Sequence, residues 1–202
     1  MIEERGSVIL VMEYLYCGSL MELSPLTPSG TVEVIAQTLD ALRYIHSQGI
    51  IHRDIKWDNI VIQTMMPMRI KIIDFGLATA SKRKTGPVGA ILYCAPEFMT
   101  SNVHTSALDI WGLGTVILEV GQLFPKNAAI HYLAEQDSPR VDLFCRVLGQ
   151  VIESTSEPLQ SILTRVLRPD PADRVSARHC LHLLGLNRRG LISNFEDLGC
   201  PM

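Results

Sequence analysis

The sequence has few charged residues, few aromatic residues and no long apolar run. Charged residues make up 19% of the 202 residues and aromatic residues 6%, whereas hydrophobic residues make up 47%. This balance excludes an intrinsically disordered chain, because enough apolar surface is present to form a core. The formal net charge of −3 gives no general attraction to nucleic acid, so we expect no nucleic-acid partner. The length suits one domain.

The sequence also shows no signal for zinc-binding cysteine pairs, for a leader peptide or for a membrane span. The five cysteines are scattered without a C-x-x-C pair, which indicates reduced thiols in an intracellular protein, cytoplasmic or nuclear. The start MIEERGS is polar, and the apolar run VILVM that follows has only five residues, so we expect no signal peptide. The most apolar stretch, 107–121, contains Asp109 and Glu119 and is too short to cross a bilayer, so we expect no membrane partner.

Short strands are predicted in the first third of the chain. The apolar run VILVME at 8–13 predicts one buried strand. Further on, IVIQ at 60–63 and RIKII at 69–73 flank the segment TMMPM, which predicts two strands joined by a turn.

The other periodic segments predict helices. Apolar residues recur every three or four positions over 31–45, with Thr27-Pro28 as the predicted start and Gly49 as the predicted stop. The segment 106–120 is apolar on nearly all sides, which predicts a central buried helix. Amphipathic helices are predicted at 141–152, 158–167 and 174–185. Residues 78–94 show no period and predict a long, functional loop.

A dense polar run, HRDIKWDN at 52–59, lies between apolar stretches. Taken alone, eight such residues also fit a charged surface turn. However, Asp74 follows Asp54 by twenty residues, and a hairpin between them would bring Asp54, Asn59 and Asp74 to one mouth. Their oxygens suit Mg²⁺, and a carboxylate outside the metal shell can accept a proton from a hydroxyl. With the positive charge of Lys56, this set favours phosphoryl transfer.

Several motifs, in order, resemble the signature set of eukaryotic protein kinases. They are HRDIKWDN, DFG, GAILYCAPE, ALDIWGLG and PADR, preceded by LVMEYLYCGSL, which resembles the last N-lobe strand and hinge. The resemblance implies a mainly α fold: a protein-kinase-like C-lobe, a helical bundle with short β-hairpins at the cleft and only one N-lobe strand. We divide the chain into a partial kinase domain at 1–185, with strand and hinge at 8–17 and C-lobe at 18–185, and a C-terminal tail at 186–202.

The resemblance implies the catalytic roles. Asp54 would be the catalytic base, Lys56 would contact the γ-phosphate of ATP, and Asn59 and Asp74 would hold Mg²⁺. A Lys two residues after the catalytic Asp resembles serine/threonine kinases rather than tyrosine kinases. The implied activity is therefore transfer of the ATP γ-phosphate to Ser or Thr hydroxyl groups of protein substrates.

The resemblance also implies a nucleotide site. Glu13 and Leu15 would offer backbone groups to adenine, Met12 would be the gatekeeper behind it, and Val61 would form the floor, with Asp74 at the phosphate end. Met12 and Val61 are apolar, so core positions in any fold also explain them.

Structural roles follow from the same resemblance. His52 and Phe75 would pack in the spine that aligns the site, and Asp109 would hold the backbone of the catalytic loop from below. Arg174 of PADR would pair with Glu97 of Ala-Pro-Glu.

The resemblance implies that Arg53 pairs with a phosphate on the activation loop. Thr79, Ser81 and Thr85 are the candidate acceptors, with Thr85 as first choice, and an upstream activating kinase would be a partner. A phosphate there would order the loop through charge-assisted hydrogen bonds.

The sequence departs from the family pattern in three places. Only seven residues precede the predicted strand, and we find no Gly-rich loop or Val-Ala-Ile-Lys strand; Lys71 lies just before DFG, on a different strand. Ala90 stands where the family usually has Thr, and Trp57 replaces a Pro.

Two interpretations stay open at this point. One is the catalytic lobe of a serine/threonine kinase, of which this chain is a truncated form that we expect to be weakly active or inactive alone. The other is a non-catalytic kinase-like binding module. A small-molecule kinase is disfavoured because GAILYCAPE resembles a peptide-docking loop.

Overall fold

The structure, a computed structural model, describes the greater part of the chain. The described residues are 2–4, 7–9, 11–80, 94–101, 103–125 and 138–183. The predicted acceptors Ser81 and Thr85, the substituted position Ala90 and the tail at 186–202 lie outside them.

Among the described residues, two strands rather than one precede the hinge. Strand β1 (Ile2–Glu4) pairs antiparallel with strand β2 (Ser7–Ile9). The prediction of a single strand over 8–13 was therefore wrong in number and in length, because residues 11–13 lie in no strand. A lone strand would leave both edges unpaired, and the short polar segment IEE, which carries no strand pattern of its own, supplies the partner.

Helix α1 (Leu20–Leu23) is followed by the long helix α2 (Pro28–Ser47). Thr27 caps α2, because its Oγ1 accepts a hydrogen bond from the backbone N–H of Gly30 at 3.1 Å. Gly49, with φ of 74°, follows the last turn in the left-handed conformation that favours glycine. Both predicted ends of this helix are thus confirmed.

Strands β3 (Ile60–Met65) and β4 (Met68–Ile72) form the predicted hairpin. Helix α2 supports it through Gln37, which donates to the carbonyl of Met68 at 2.8 Å and accepts from the N–H of Ile70 at 3.0 Å. The hairpin is therefore fixed against α2 at its far end, and its open end lies beside the segment 51–59.

A short helix α3 (Glu97–Thr100) precedes the central helix α4 (Ala107–Val120). Every residue of α4 after Ala107 is buried, which confirms the prediction of a helix surrounded by others. Gly112 permits its close approach to the polar run, because a Cβ there would lie 2.7 Å from the carbonyl oxygen of Ile55. The core of the domain forms around α4.

Three more helices complete the described bundle: α5 (Ser138–Glu153), α6 (Leu159–Val166) and α7 (Ala177–Leu183). The first two confirm the predicted segments. The third begins later than predicted, because Arg174 takes part in a buried ion pair. Ser176 precedes the first turn of the helix, and its Oγ accepts a hydrogen bond from the N–H of His179. In the described part of the chain, no helix combines the length and the apolar character needed to span a bilayer.

Candidate active site

Three polar side chains of the run 52–59 meet in one cluster, in which Asp54 and Asn59 are buried and Lys56 is half-buried. Asp54 is 7% exposed and Asn59 is 5% exposed. The Nδ2 of Asn59 donates to both the carbonyl oxygen and the Oδ2 of Asp54, each at 2.9 Å, and the Nζ of Lys56 lies 2.9 Å from the same Oδ2. A charged surface turn would leave these groups in water, so the structure contradicts that alternative.

Asp109, at the start of α4, holds this segment from beneath. Its Oδ2 accepts from the N–H of His52 at 2.9 Å and its Oδ1 from the N–H of Arg53 at 2.8 Å. Arg53 has φ of 68°, a strained value for a residue with a side chain. The buried carboxylate of Asp109 therefore stabilises an unfavourable backbone turn directly before Asp54.

His46 also binds this carboxylate, and the sequence reasoning missed it. Its Nε2 lies 2.7 Å from the Oδ2 of Asp109. The sequence alone indicates a packing or surface residue at this position of α2. The available signal was its position four residues after the buried Leu42, which places it beside the apolar face of the helix.

The end of the β3–β4 hairpin places Asp74 beside the cluster. The N–H of Ile73 donates to the carbonyl oxygen of Asn59 at 2.9 Å, so Asp74 is one residue from a direct backbone contact with Asn59. Asp74 has φ of 61°, and its Oδ1 accepts from the N–H of Gly76 at 3.1 Å. Its carboxylate is exposed, whereas that of Asp54 is buried.

His52 and Phe75 connect the two segments. Their rings contact edge to face, with 4.7 Å between centroids, and the Nε2 of His52 lies 3.0 Å from the carbonyl oxygen of Ile73. This contact joins the polar run to DFG through a packed ring pair.

The donor set of Asn59 and Asp74 fits Mg²⁺. Among the described residues, the hydrogen bonds of the Asn59 amide use its nitrogen, which leaves the amide oxygen to a cation. No group of three or more His, Cys, Asp or Glu able to hold a metal occurs in the described ranges. Mg²⁺ bound by one carboxylate, one amide oxygen, water and phosphate requires no such group.

The segment that carries the predicted nucleotide-binding residues contacts the β3–β4 hairpin. Val61 is buried and forms an isolated bridge with Ser19, and Leu15 is half-buried. Met12 is 73% exposed, so its alternative assignment to the core was wrong. The carboxylate of Glu13 is ion-paired with Lys71 of β4.

Arg53 points toward the start of the predicted activation loop. Its Nε donates to the carbonyl oxygen of Leu77 at 2.6 Å. Two residues further, Thr79 exchanges two backbone hydrogen bonds of 2.9 Å with Ile51. Thr79, the predicted acceptor that lies within the described residues, is thus anchored beside the catalytic segment.

Glu97 and Arg174 form a bidentate, buried ion pair. The Nη1–Oε1 and Nη2–Oε2 distances are 2.6 and 3.0 Å, and the guanidinium lies over the ring of Trp111 at 5.1 Å. This pair joins the end of the activation-loop region to the helical bundle.

Cys94 lies near these acidic groups but is not a nucleophile. Burial, followed by the charges of Asp54 and Glu97, raises the pKa of its thiol to about 12. At neutral pH the group is therefore a neutral thiol, and chemistry through a cysteine thiolate is excluded at this position.

Comparison with known proteins decides the family. The family model described as "Protein kinase domain" matches residues 1–183. The chain belongs to the protein kinase family. The motif resemblance and the kinase-like helical fold are thereby confirmed.

The similar curated kinases are named serine/threonine-protein kinases. The chain is 31% identical over 191 residues to STE20 of Saccharomyces cerevisiae, covering 88% of this chain and 19% of that protein. It is 32% identical over 192 residues to CST20 of Candida albicans (strain WO-1), covering 88% and 15%. The chain thus spans less than a fifth of the length of these relatives.

A solved kinase structure has the same fold. The crystal structure of the Rad53 kinase domain and SCD2 in complex with AMPPNP matches with a TM-score of 0.65 and 27% identity, covering 91% of this chain and 71% of that one. That protein is named as binding an ATP analogue.

Proposed function

We propose that this kinase domain binds Mg·ATP and transfers the γ-phosphate to Ser or Thr hydroxyl groups of protein substrates. The observation that carries the proposal is the hydrogen-bonded cluster of Asp54, Lys56 and Asn59, with the exposed carboxylate of Asp74 beside it. Phosphoryl transfer requires these parts, namely a proton acceptor, a cation near the phosphate and oxygen ligands for a metal.

Asp54 is the proposed base. Its Oδ2 accepts a hydrogen bond from Asn59 and forms an ion pair with Lys56, and these two contacts fix the orientation of the carboxylate. In this role Asp54 accepts the proton of the substrate hydroxyl, and Lys56 offers its positive charge to the transferring phosphoryl group.

Asn59 and Asp74 are the proposed metal ligands. When bound, Mg²⁺ neutralises phosphate charge during transfer. The left-handed backbone of Asp74 and its hydrogen bond to the N–H of Gly76 direct the carboxylate before any ligand arrives. Such preorganisation reduces the reorganisation needed during the reaction.

The proposed adenine site uses Val61 as its floor and the backbone groups of Glu13 and Leu15 as its edge. The bridge between Val61 and Ser19 supports this site, because it joins the residues that follow the hinge to strand β3. The AMPPNP named for the similar Rad53 kinase domain supports a nucleotide of this class.

Serine and threonine are the proposed acceptors. Lys56 follows Asp54 by two residues, and the similar curated proteins are named serine/threonine kinases. We further propose an intracellular location and activation by an upstream kinase acting on Thr79, Ser81 or Thr85. The contact of Arg53 with Leu77 supports a role for its guanidinium beside this loop.

Phosphate transfer from Mg·[γ-³²P]ATP to a mixed library of Ser, Thr and Tyr peptides tests the proposal. We expect label on Ser or Thr peptides with wild type and a loss of at least about a hundredfold with Asp54→Asn, because a positioned base contributes 10²–10⁴-fold. Nucleotide binding without Asp54-dependent phosphate transfer would refute the proposed kinase activity and favour a non-catalytic binding module.

A further inference from the structure

The hinge segment 11–16 is exposed and lies in no regular secondary structure. Four of its large side chains are mostly in solvent: Val11 (68%), Met12 (73%), Tyr14 (86%) and Tyr16 (77%). A segment with so few buried contacts has little local stability of its own. Its position over the cleft therefore depends on a small number of contacts.

Its C-terminal end is tied to strand β3. The carbonyl oxygen of Gly18 accepts from the N–H of Ile62 at 3.0 Å, and the Sγ of Cys17 donates to the carbonyl oxygen of Gln63 at 3.5 Å. These contacts fix residues 17–19 and leave the hinge segment 11–16 to be held by other means.

An ion pair between Glu13 and Lys71 supplies a second contact, this time to strand β4. Lys71 lies directly opposite Val61 in the antiparallel register. Residues opposite each other in such a pair point to the same face, so Lys71 leaves the hairpin on the face that carries Val61. The pair thus spans from the proposed adenine floor to the proposed adenine edge.

We propose that Lys71 and Glu13 are positioning residues that hold the hinge over Val61 and thereby raise the affinity of the site for an adenine nucleotide. The proposal rests on the proposed function, in which the backbone of Glu13 and Leu15 binds adenine. A segment already held in its binding position loses less conformational entropy when the ligand arrives. Lys71 had no role in the motif pattern, which places the family's lysine on another strand.

The expected effect is modest because both groups are partly solvated. The side chains of Lys71 and Glu13 are 34% and 55% exposed. Exposed ion pairs contribute little free energy, so loss of this pair should change the dissociation constant of the nucleotide by about two- to fivefold. The effect must also shrink at high ionic strength, because salt screens exposed charges.

Titration of ADP by calorimetry at low and high salt tests the proposal. The variants are Lys71→Glu, Glu13→Lys and the double charge swap, with Arg69→Glu as the control on an exposed position of the same strand. We expect each single variant to weaken ADP binding by at least twofold, the swap to restore it, and the control to leave it unchanged. Single variants that bind like wild type, or a swap as weak as the singles, would overturn the proposal.

Amide hydrogen exchange of residues 11–16 without nucleotide separates this proposal from the proposed function. Faster exchange in Lys71→Glu, reversed by the swap, supports the positioning role even for a chain that binds no ADP. Absence of ADP binding by wild type would refute the nucleotide site alone. Exchange that is equal in all variants would refute the positioning pair.

Discussion

Replacing Arg174 should destabilise the domain more than any substitution on its surface. Its guanidinium binds both oxygens of Glu97 and also donates to the carbonyl oxygens of Ala107, Arg168 and Pro169. The side chains of the pair are 0% and 8% exposed, so water cannot replace the lost partner. Arg174→Met keeps most of the apolar stem but leaves a buried carboxylate unpaired.

The cost of breaking a buried pair by removing one partner is about 3–5 kcal/mol. For a domain of this size, 1 kcal/mol lowers the melting temperature by about 2–4 °C, so Arg174→Met should melt roughly 6–20 °C below wild type. Thermal unfolding followed by circular dichroism and calorimetry measures this shift. Arg178→Met, at an exposed position of α7, is the matched control and should melt within about 2 °C of wild type.

The double variant Arg174→Met with Glu97→Met identifies the cause. Because it removes the buried charge, it should recover part of the loss, whereas the unpaired carbonyl groups keep it below wild type by about 1–3 kcal/mol. If Arg174→Met melts within about 2 °C of wild type, the ion pair does not stabilise the domain as described. If the double variant is no better than the single one, the cost does not come from an unpaired charge.

Three further predictions concern the catalytic segment and its surroundings. Gly112→Ala should destabilise the domain in urea unfolding by about 1–3 kcal/mol relative to Gly149→Ala, because the new methyl group contacts backbone in the first case and open space in the second. His46→Ala should accelerate amide exchange, measured by NMR, of the two N–H groups that bind Asp109, and unchanged rates would exclude a supporting role. Above pH 9 the unfolded chain loses the Cys94 proton while the folded thiol, with its pKa raised to about 12, keeps it, so Cys94 should contribute a fall in stability of up to about 1.4 kcal/mol per pH unit. Burial also raises the pKa values of Cys145 and Cys180 to about 11, so these thiols add slopes of their own, and Cys94→Ala should remove only the Cys94 contribution.

The helices and the central hairpin could be predicted because local patterns determine them. Helix α2 has a capping Thr27, an apolar stripe and a terminal glycine, and each of these acts within a few residues. The apolar character of α4 on every side could only be satisfied in the centre of a bundle.

The N-terminal hairpin could not be predicted in this way. Strand β1 is three residues long and polar, so its partner, not its own pattern, determines its conformation. The start of α7 was missed for a related reason, since the contact that takes Arg174 out of the helix comes from Glu97, 77 residues away.

For the candidate site, the motifs predicted which residues meet but not what holds them. The sequence placed Asp54, Asn59 and Asp74 at one mouth through the hairpin between them. For the contact of His46 with Asp109 it offered only the position of His46 beside an apolar helix face, and for the pair of Lys71 and Glu13 it offered no signal, because such contacts join side chains far apart in the chain.

Thermal unfolding of the chain with and without Mg·ATP, using Asp74→Asn as the control, tests the central claim most directly. Ligand at about 100 times its dissociation constant should stabilise the folded state by about 2.7 kcal/mol. For a domain of this size we expect the melting temperature to rise by roughly 5–11 °C in wild type and to stay unchanged in Asp74→Asn. A cooperative melt that Mg·ATP does not shift, or a shift that Asp74→Asn retains in full, would contradict the assignment of this cleft as a Mg·ATP site.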